Sequence, residues 1–140
     1  MPDDIVTSRL KVVFFSSNSE TRRIVETVRM YLQPLGLSDD TRSSVELVLA
    51  EALNNVVEHA YADLPGPVEL SLSLGDSKVS CTIRDDGAAL PHRQVPIQAP
   101  SPPESLPEGG FGWNIIRALT CEIAYHREGA RNTLSFSIRL

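Results

Sequence analysis

The chain has 140 residues, enough for one domain and short for two. Its 41% hydrophobic and 22% charged residues are ordinary for a folded globular domain and exclude global disorder, a collagen-like repeat and a disulfide scaffold. A net charge of −5 without a basic stripe argues against direct nucleic-acid binding, and no uncharged apolar run approaches the ~18 residues of a membrane span.

In chain order, residues 9–15 (RLKVVFF) read as a strand. Ser17 and Glu20 form a capping-box pattern, and Ile24, Val25, Val28 and Leu32 follow at helical spacing. That helix is expected to stop near Gln33, before Pro34 and Gly36. Ser38, Asp39 and Asp40 open a second helix that runs to about Ala60, with its acids at the positive end of the helix dipole. Val68, Leu70, Leu72 and Leu74 alternate with polar residues as a half-buried strand, and Gly75-Asp76-Ser77 turns the chain back into a partner carrying Val79, Cys81 and Ile83. Residues 88–110 hold six of the ten prolines, which removes backbone donors and predicts a functional or mobile loop, read as a lid or a disordered insert. Residues 111–119 read as a short helix, 121–127 as a strand, 128–130 as a turn, and Leu134, Phe136, Ile138 and Leu140 as the last strand. The order β-α-α-β-β-lid-α-β-β predicts an α+β two-layer sandwich, a mostly antiparallel mixed sheet with helices on one face. The acidic start lacks the pattern of a signal peptide, so Cys81 and Cys121 are expected to be reduced core thiols in a cytoplasmic protein.

Three short motifs carry chemistry. On the second helix, Val45, Val48, Leu49, Ala52, Leu53, Val56 and Ala60 make one apolar face, with Asn54 and Glu58 opposite it. Glu51 and Asn55 stack at its margin, where a carboxylate and an amide can share a ligand; taken alone, such a pair is ordinary rim polarity. Asp85 continues the inward parity of Val79, Cys81 and Ile83, so it either caps the following turn or meets a ligand's amine, with Gly87 letting backbone pass close by. Gly109, Gly110 and Gly112 open the short helix, where backbone N–H groups and the dipole favour an anion. His59, near the apolar edge, reads as a packed or hydrogen-bonded core histidine rather than a ligand.

Together, Glu51-x-x-x-Asn55, Asp85-x-Gly87 and Gly110-x-Gly112, in this order with a lid before the last, resemble the three nucleotide-binding boxes of the GHKL (Bergerat-fold) ATP-binding superfamily. The run from Glu51 to Tyr61 is most similar to the anti-sigma-factor serine/threonine kinase branch, and the likeness covers the whole chain as a single domain, 1–140. The resemblance implies ATP and Mg²⁺ as cofactors. Asp85 would accept from the adenine amine, and Gly87 would line the base pocket. Asn55 would ligate Mg²⁺, Glu51 would be the general base, Gly110 and Gly112 would cradle phosphates, and Thr133 would bring a hydroxyl near the base. It implies a protein serine/threonine kinase that binds a sigma factor and phosphorylates a STAS-domain antagonist, with a homodimer as its assembly. The other reading is a non-catalytic, ATP-binding adaptor that sequesters a partner. Three departures from the family pattern bear on that choice: Ala89 replaces a glycine, Glu108 and Phe111 stand where lids often carry a basic residue, and Trp113-Asn114 replaces a small or aliphatic pair. Arg93 is the candidate substitute for the lid cation.

Overall fold

The computed structural model describes residues 5–96 and 110–140. The elements are β1 (Ser8–Phe15), α1 (Asn18–Leu32), a 3-10 turn (Gln33–Leu35), α2 (Asp39–Asn55) running on into a π-helical turn (Val56–Ala60), β2 (Pro67–Leu74), β3 (Lys78–Asp85), a 3-10 turn (Pro91–Arg93), α3 (Gly110–Leu119), β4 (Cys121–Glu128) and β5 (Arg131–Arg139). Most of the lid expected over residues 88–110, with Glu108 and Gly109, lies outside the described residues.

The helix starts follow from their caps. The Ser17 hydroxyl accepts from the Glu20 amide at 3.0 Å, and that of Ser38 accepts from the Thr41 amide at 3.1 Å, each satisfying a donor that the first turn leaves open. After α1, Gly36 adopts a left-handed φ of 76°, which glycine takes without strain and which ends the helical path.

The five strands form one sheet in the order β1-β2-β3-β5-β4. Every neighbouring pair is antiparallel, so the sheet is antiparallel throughout the described residues and has no parallel, mixed part. Alternation sends Val68, Leu70 and Leu72 of β2, Val79, Cys81 and Ile83 of β3, and Leu134, Phe136 and Ile138 of β5 to one face. The helices cover that face, with α2 packed against both α1 and α3. Ile24, Val28 and Leu32 of α1 and Val45, Val48, Leu49, Ala52 and Leu53 of α2 meet the strands there as one core. On the opposite face Lys11 and Arg84 each reach Glu69 at 3.1 Å, beside the exposed Val13 and Phe15 of β1.

Cys81 is a core thiol, and burial pushes its pKa up to about 12, which leaves it inert as a nucleophile at neutral pH. Cys121 is a correction: it is half-buried at the start of β4, outside the core. Among the described residues, no helix is long and apolar enough to cross a membrane.

Candidate functional site

Antiparallel pairing brings the ends of β3 and β5 together, with Asp85 opposite Asn132 in register. Both are buried, at 7% and 3% exposure, although each is polar. They stand at the edge of a cavity of about 420 Å³ between the sheet and the C-terminal end of α2. Ala52, Ile83 and Leu134 give it an apolar wall, Asn55, Asp85 and Asn132 its buried polar groups, and Trp113 part of its rim. A mostly apolar cleft of this size with a few converging polar groups is the usual form of a small-molecule site.

Asp85 is held on one side only. Its Oδ1 accepts from Asn132 Nδ2 at 2.8 Å and from the Gly87 amide at 2.9 Å, while no described residue donates to Oδ2. Burial pushes its carboxyl above the ordinary aspartate range, the two donors pull it back, and Asp86 and Arg127 act in opposite senses from further off. A buried carboxylate anchored through one oxygen can take a donor from a ligand on the other. The turn capping expected as the bland reading is also present, through the Gly87 amide; both uses fit, because they engage different oxygens.

The loop after β3 is fixed from several sides. The Tyr61 hydroxyl accepts from the Asp86 amide at 2.6 Å and donates to the Pro67 carbonyl at 2.7 Å. The Ala88 amide reaches the Ala60 carbonyl at 2.8 Å, and the Leu90 amide the Tyr125 hydroxyl at 3.1 Å. Gly87 lies so close to the end of α2 that a Cβ there would come within 2.2 Å of the Ala60 carbonyl oxygen. Because that contact is with backbone, the chain must move to relieve it. Gly87→Ala is therefore expected to destabilise the fold by about 1–3 kcal/mol. A denaturant midpoint equal to that of the unsubstituted chain would show that this close approach does not exist in solution.

Glu51, Asn55 and Gly112 meet beside the cavity. A Cβ on Gly112 would lie 2.9 Å from Glu51 Oε2 and 3.7 Å from Asn55 Oδ1, so the first turn of α3 faces both side chains, and a side chain there would push the Glu51 carboxylate aside. Asn55 is buried and its Nδ2 has no protein partner among the described residues. An orphaned buried amide is costly and calls for a ligand or water. Gly110 begins the same helix, two residues earlier.

Thr133 is not brought to this site, and the structure corrects its expected place near the base. It faces the opposite side of the sheet, paired across strands with Arg84 and His126, while its neighbours Asn132 and Leu134 line the cavity. The alternation that puts Leu134, Phe136 and Ile138 inward also puts Asn132 inward and Thr133 outward, so the signal for Asn132 was present in the strand pattern. His59 is a second correction. It is exposed at the cavity rather than packed in the core. The Tyr61 amide bonds the Val56 carbonyl five residues back, and a residue of such a wide turn advances less than in an α-helix. His59 thus falls short of the apolar side, and Glu58 lines the same cavity.

Residues 15–138 match the protein family described as histidine kinase-like ATPase domain. The serine-protein kinase RsbW of Bacillus cereus is 28% identical over 101 residues, which span 68% of this chain and 63% of that protein. The match to that relative thus takes in less than two thirds of its length. The anti-sigma F factor of Geobacillus stearothermophilus is 27% identical over 124 residues, covering 85% of this chain and 84% of its own. Among solved structures, the histidine kinase domain of a blue-light activated histidine kinase from Erythrobacter litoralis aligns with a TM-score of 0.51 over 88% of this chain and 60% of that one. At 20% sequence identity, that likeness is one of fold.

Proposed function

Because the chain belongs to the histidine kinase-like ATPase domain family, we propose that it binds ATP with Mg²⁺ and acts in the cytoplasm as a protein serine/threonine kinase. Its partners would be a sigma factor, which it binds, and a STAS-domain antagonist, which it phosphorylates. The observation that carries the nucleotide reading is Asp85: a buried carboxylate on an apolar cavity, anchored through Oδ1 and open at Oδ2. An adenine amine supplies the missing donor, and the cavity's apolar wall suits the face of a base. The kinase and anti-sigma parts of the proposal draw on the names of the two relatives.

The residues present fit a hard cation held jointly with a nucleotide. Asn55 is buried beside Glu51, so its Oδ1 can turn to a cation while Nδ2, which has no partner among the described residues, is left to donate to a phosphate oxygen, and Gly112 keeps a side chain from crowding the Glu51 carboxylate. Among the described residues, no cluster of three or more His, Cys, Asp or Glu could hold a metal alone. Mg²⁺ commonly takes one or two protein oxygens and completes its shell with phosphate and water. Bound there, it would neutralise phosphate charge. Asn55 would hold it, Glu51 would take the proton of the attacking serine hydroxyl, and the amides at the start of α3 would face the phosphates. The lid reading of residues 88–110 stays part of this proposal and rests on their proline content.

The second reading, an adaptor that binds ATP and transfers nothing, is favoured by Glu108 and Phe111 at positions where the family often has a lid cation. Incubation with γ-labelled ATP, a STAS-domain protein encoded beside this chain and the cognate sigma factor separates the two. Label on a serine or threonine of the STAS protein supports the kinase. ATP and sigma-factor binding with no label on any candidate supports the adaptor, and failure to bind ATP removes both.

A further inference from the structure

Asn132 is not among the residues that the family resemblance implies, yet its side chain is the hub of the cavity's polar wall. Its Nδ2 donates to Asp85 Oδ1 at 2.8 Å, to the Ala88 carbonyl at 2.9 Å and to the Gly87 carbonyl at 3.2 Å. Its Oδ1 accepts from Arg127 at 2.9 Å and from the Tyr125 hydroxyl. Arg127 also donates to the Gly87 carbonyl at 2.7 Å. A guanidinium has donors and no acceptor, so the amide atom facing Arg127 must be the oxygen. The amine therefore faces Asp85, and the amide cannot turn over without setting donor against donor on one side and acceptor against acceptor on the other.

We infer that Asn132, oriented by Arg127 and Tyr125, is a positioning residue that keeps Asp85 a hydrogen-bond acceptor and thereby makes the cavity prefer a base with an exocyclic amine over one with a carbonyl in its place. This deepens the proposed nucleotide binding and rests on it. An ionised Asp85 accepts from the amine of adenine and repels the carbonyl of hypoxanthine. A protonated Asp85 could donate to that carbonyl, so the choice between bases is a choice between protonation states. Burial favours the proton, and a donor fixed on Oδ1 favours the anion. The other charged or titratable groups near Asp85 are Asp86 beside it, Arg127 and Tyr125 on β4, and Tyr61 after the π turn; Glu58 and His59 line the same cavity.

The test is the affinity for ATP and for ITP, measured by calorimetry from about pH 5 to pH 8, in the unsubstituted chain, Asn132→Asp and Arg127→Met. Asn132→Asp keeps the shape and the partner of Arg127 but sets a carboxylate against Asp85, and two carboxylates at that distance retain a proton between them. ATP affinity at neutral pH is expected to fall by about tenfold or more and the ATP-to-ITP ratio by about tenfold. The pH at which ATP binding reaches half its limit is expected to move upward. Arg127→Met frees the amide to turn and is expected to shift both readouts the same way by less. A role in packing alone would weaken ATP and ITP equally and leave the pH midpoint in place, and that result overturns the inference. Thermal melting checks that each variant folds; if Asn132→Asp does not, Arg127→Met decides by the same ratio and midpoint. An unsubstituted chain that binds ATP with no preference over ITP also overturns it. One that binds neither nucleotide overturns the nucleotide reading itself.

Discussion

Asp85→Asn is expected to lower ATP affinity by about ten- to a hundredfold, the worth of a charge-assisted hydrogen bond turned into a mismatch. The structure says which way the new amide would point. Oδ1 of residue 85 receives two donors, from Asn132 and from the Gly87 amide, so the carbonyl of an asparagine belongs there. Its amine then takes the place of Oδ2 and confronts the amine of the base. The pH dependence has a definite sign. Burial raises the Asp85 pKa in the free protein. A ligand amine favours the ionised form, so ATP affinity rises as pH climbs through that raised value, with proton release below it. The Asn variant loses this dependence. It should also fold no less well. A carboxyl whose pKa is higher folded than unfolded loses stability as pH rises from the ordinary carboxylate value up through the raised one, and asparagine has no such loss. Calorimetry and thermal melting at several pH values check both halves. Equal affinity in the two proteins would remove Asp85 from the base site.

Glu51→Gln and Asn55→Ala are expected to part company. As general base, Glu51 acts only in the transition state, so its amide variant should keep ATP affinity nearly intact while phosphoryl transfer to the STAS protein slows by about 10²–10⁴. Asn55→Ala should weaken Mg²⁺-dependent ATP binding as well as transfer, because its buried side chain would hold the ion. The two residues share one helix edge and one glycine neighbour, Gly112, so a role in packing alone would show in the folding stability of the variants and not in transfer by the folded protein. If they serve structure alone, Glu51→Gln changes stability by a few tenths of a kcal/mol, Asn55→Ala changes it by more because its side chain is buried, and both leave transfer untouched. Binding titrations and single-turnover transfer rates on both variants separate these cases. A Glu51→Gln protein as fast as its parent would cancel the general-base assignment.

Several features are legible in the amino-acid sequence alone. Ser17 and Ser38 mark helix starts because a hydroxyl followed by open amides is a local arrangement, complete within four residues. The alternation in β2, β3 and β5 fixes which side chains face inward, because a strand's two-residue period is a property of the backbone alone. It places Asp85 on the core side in the sequence, and Asp85 is buried there in the structure. The same alternation contradicts the site expected for Thr133, which came from resemblance and not from its strand's own pattern.

What only the tertiary structure decided involves residues far apart in the chain. That Asn132 meets Asp85 depends on β3 pairing with β5 across an intervening helix and strand, in one particular register. A shift of one residue would have sent Thr133 to Asp85 in place of Asn132. The contact of Glu51 with Gly112 depends on how α3 packs against α2, and no spacing within either helix encodes it. The π turn after Asn55 is invisible to a count at 100° per residue, because one wide turn changes the phase of the residues beyond it without breaking the helix. Local periodicity fixes which way a side chain points; only packing and strand register fix what it points at.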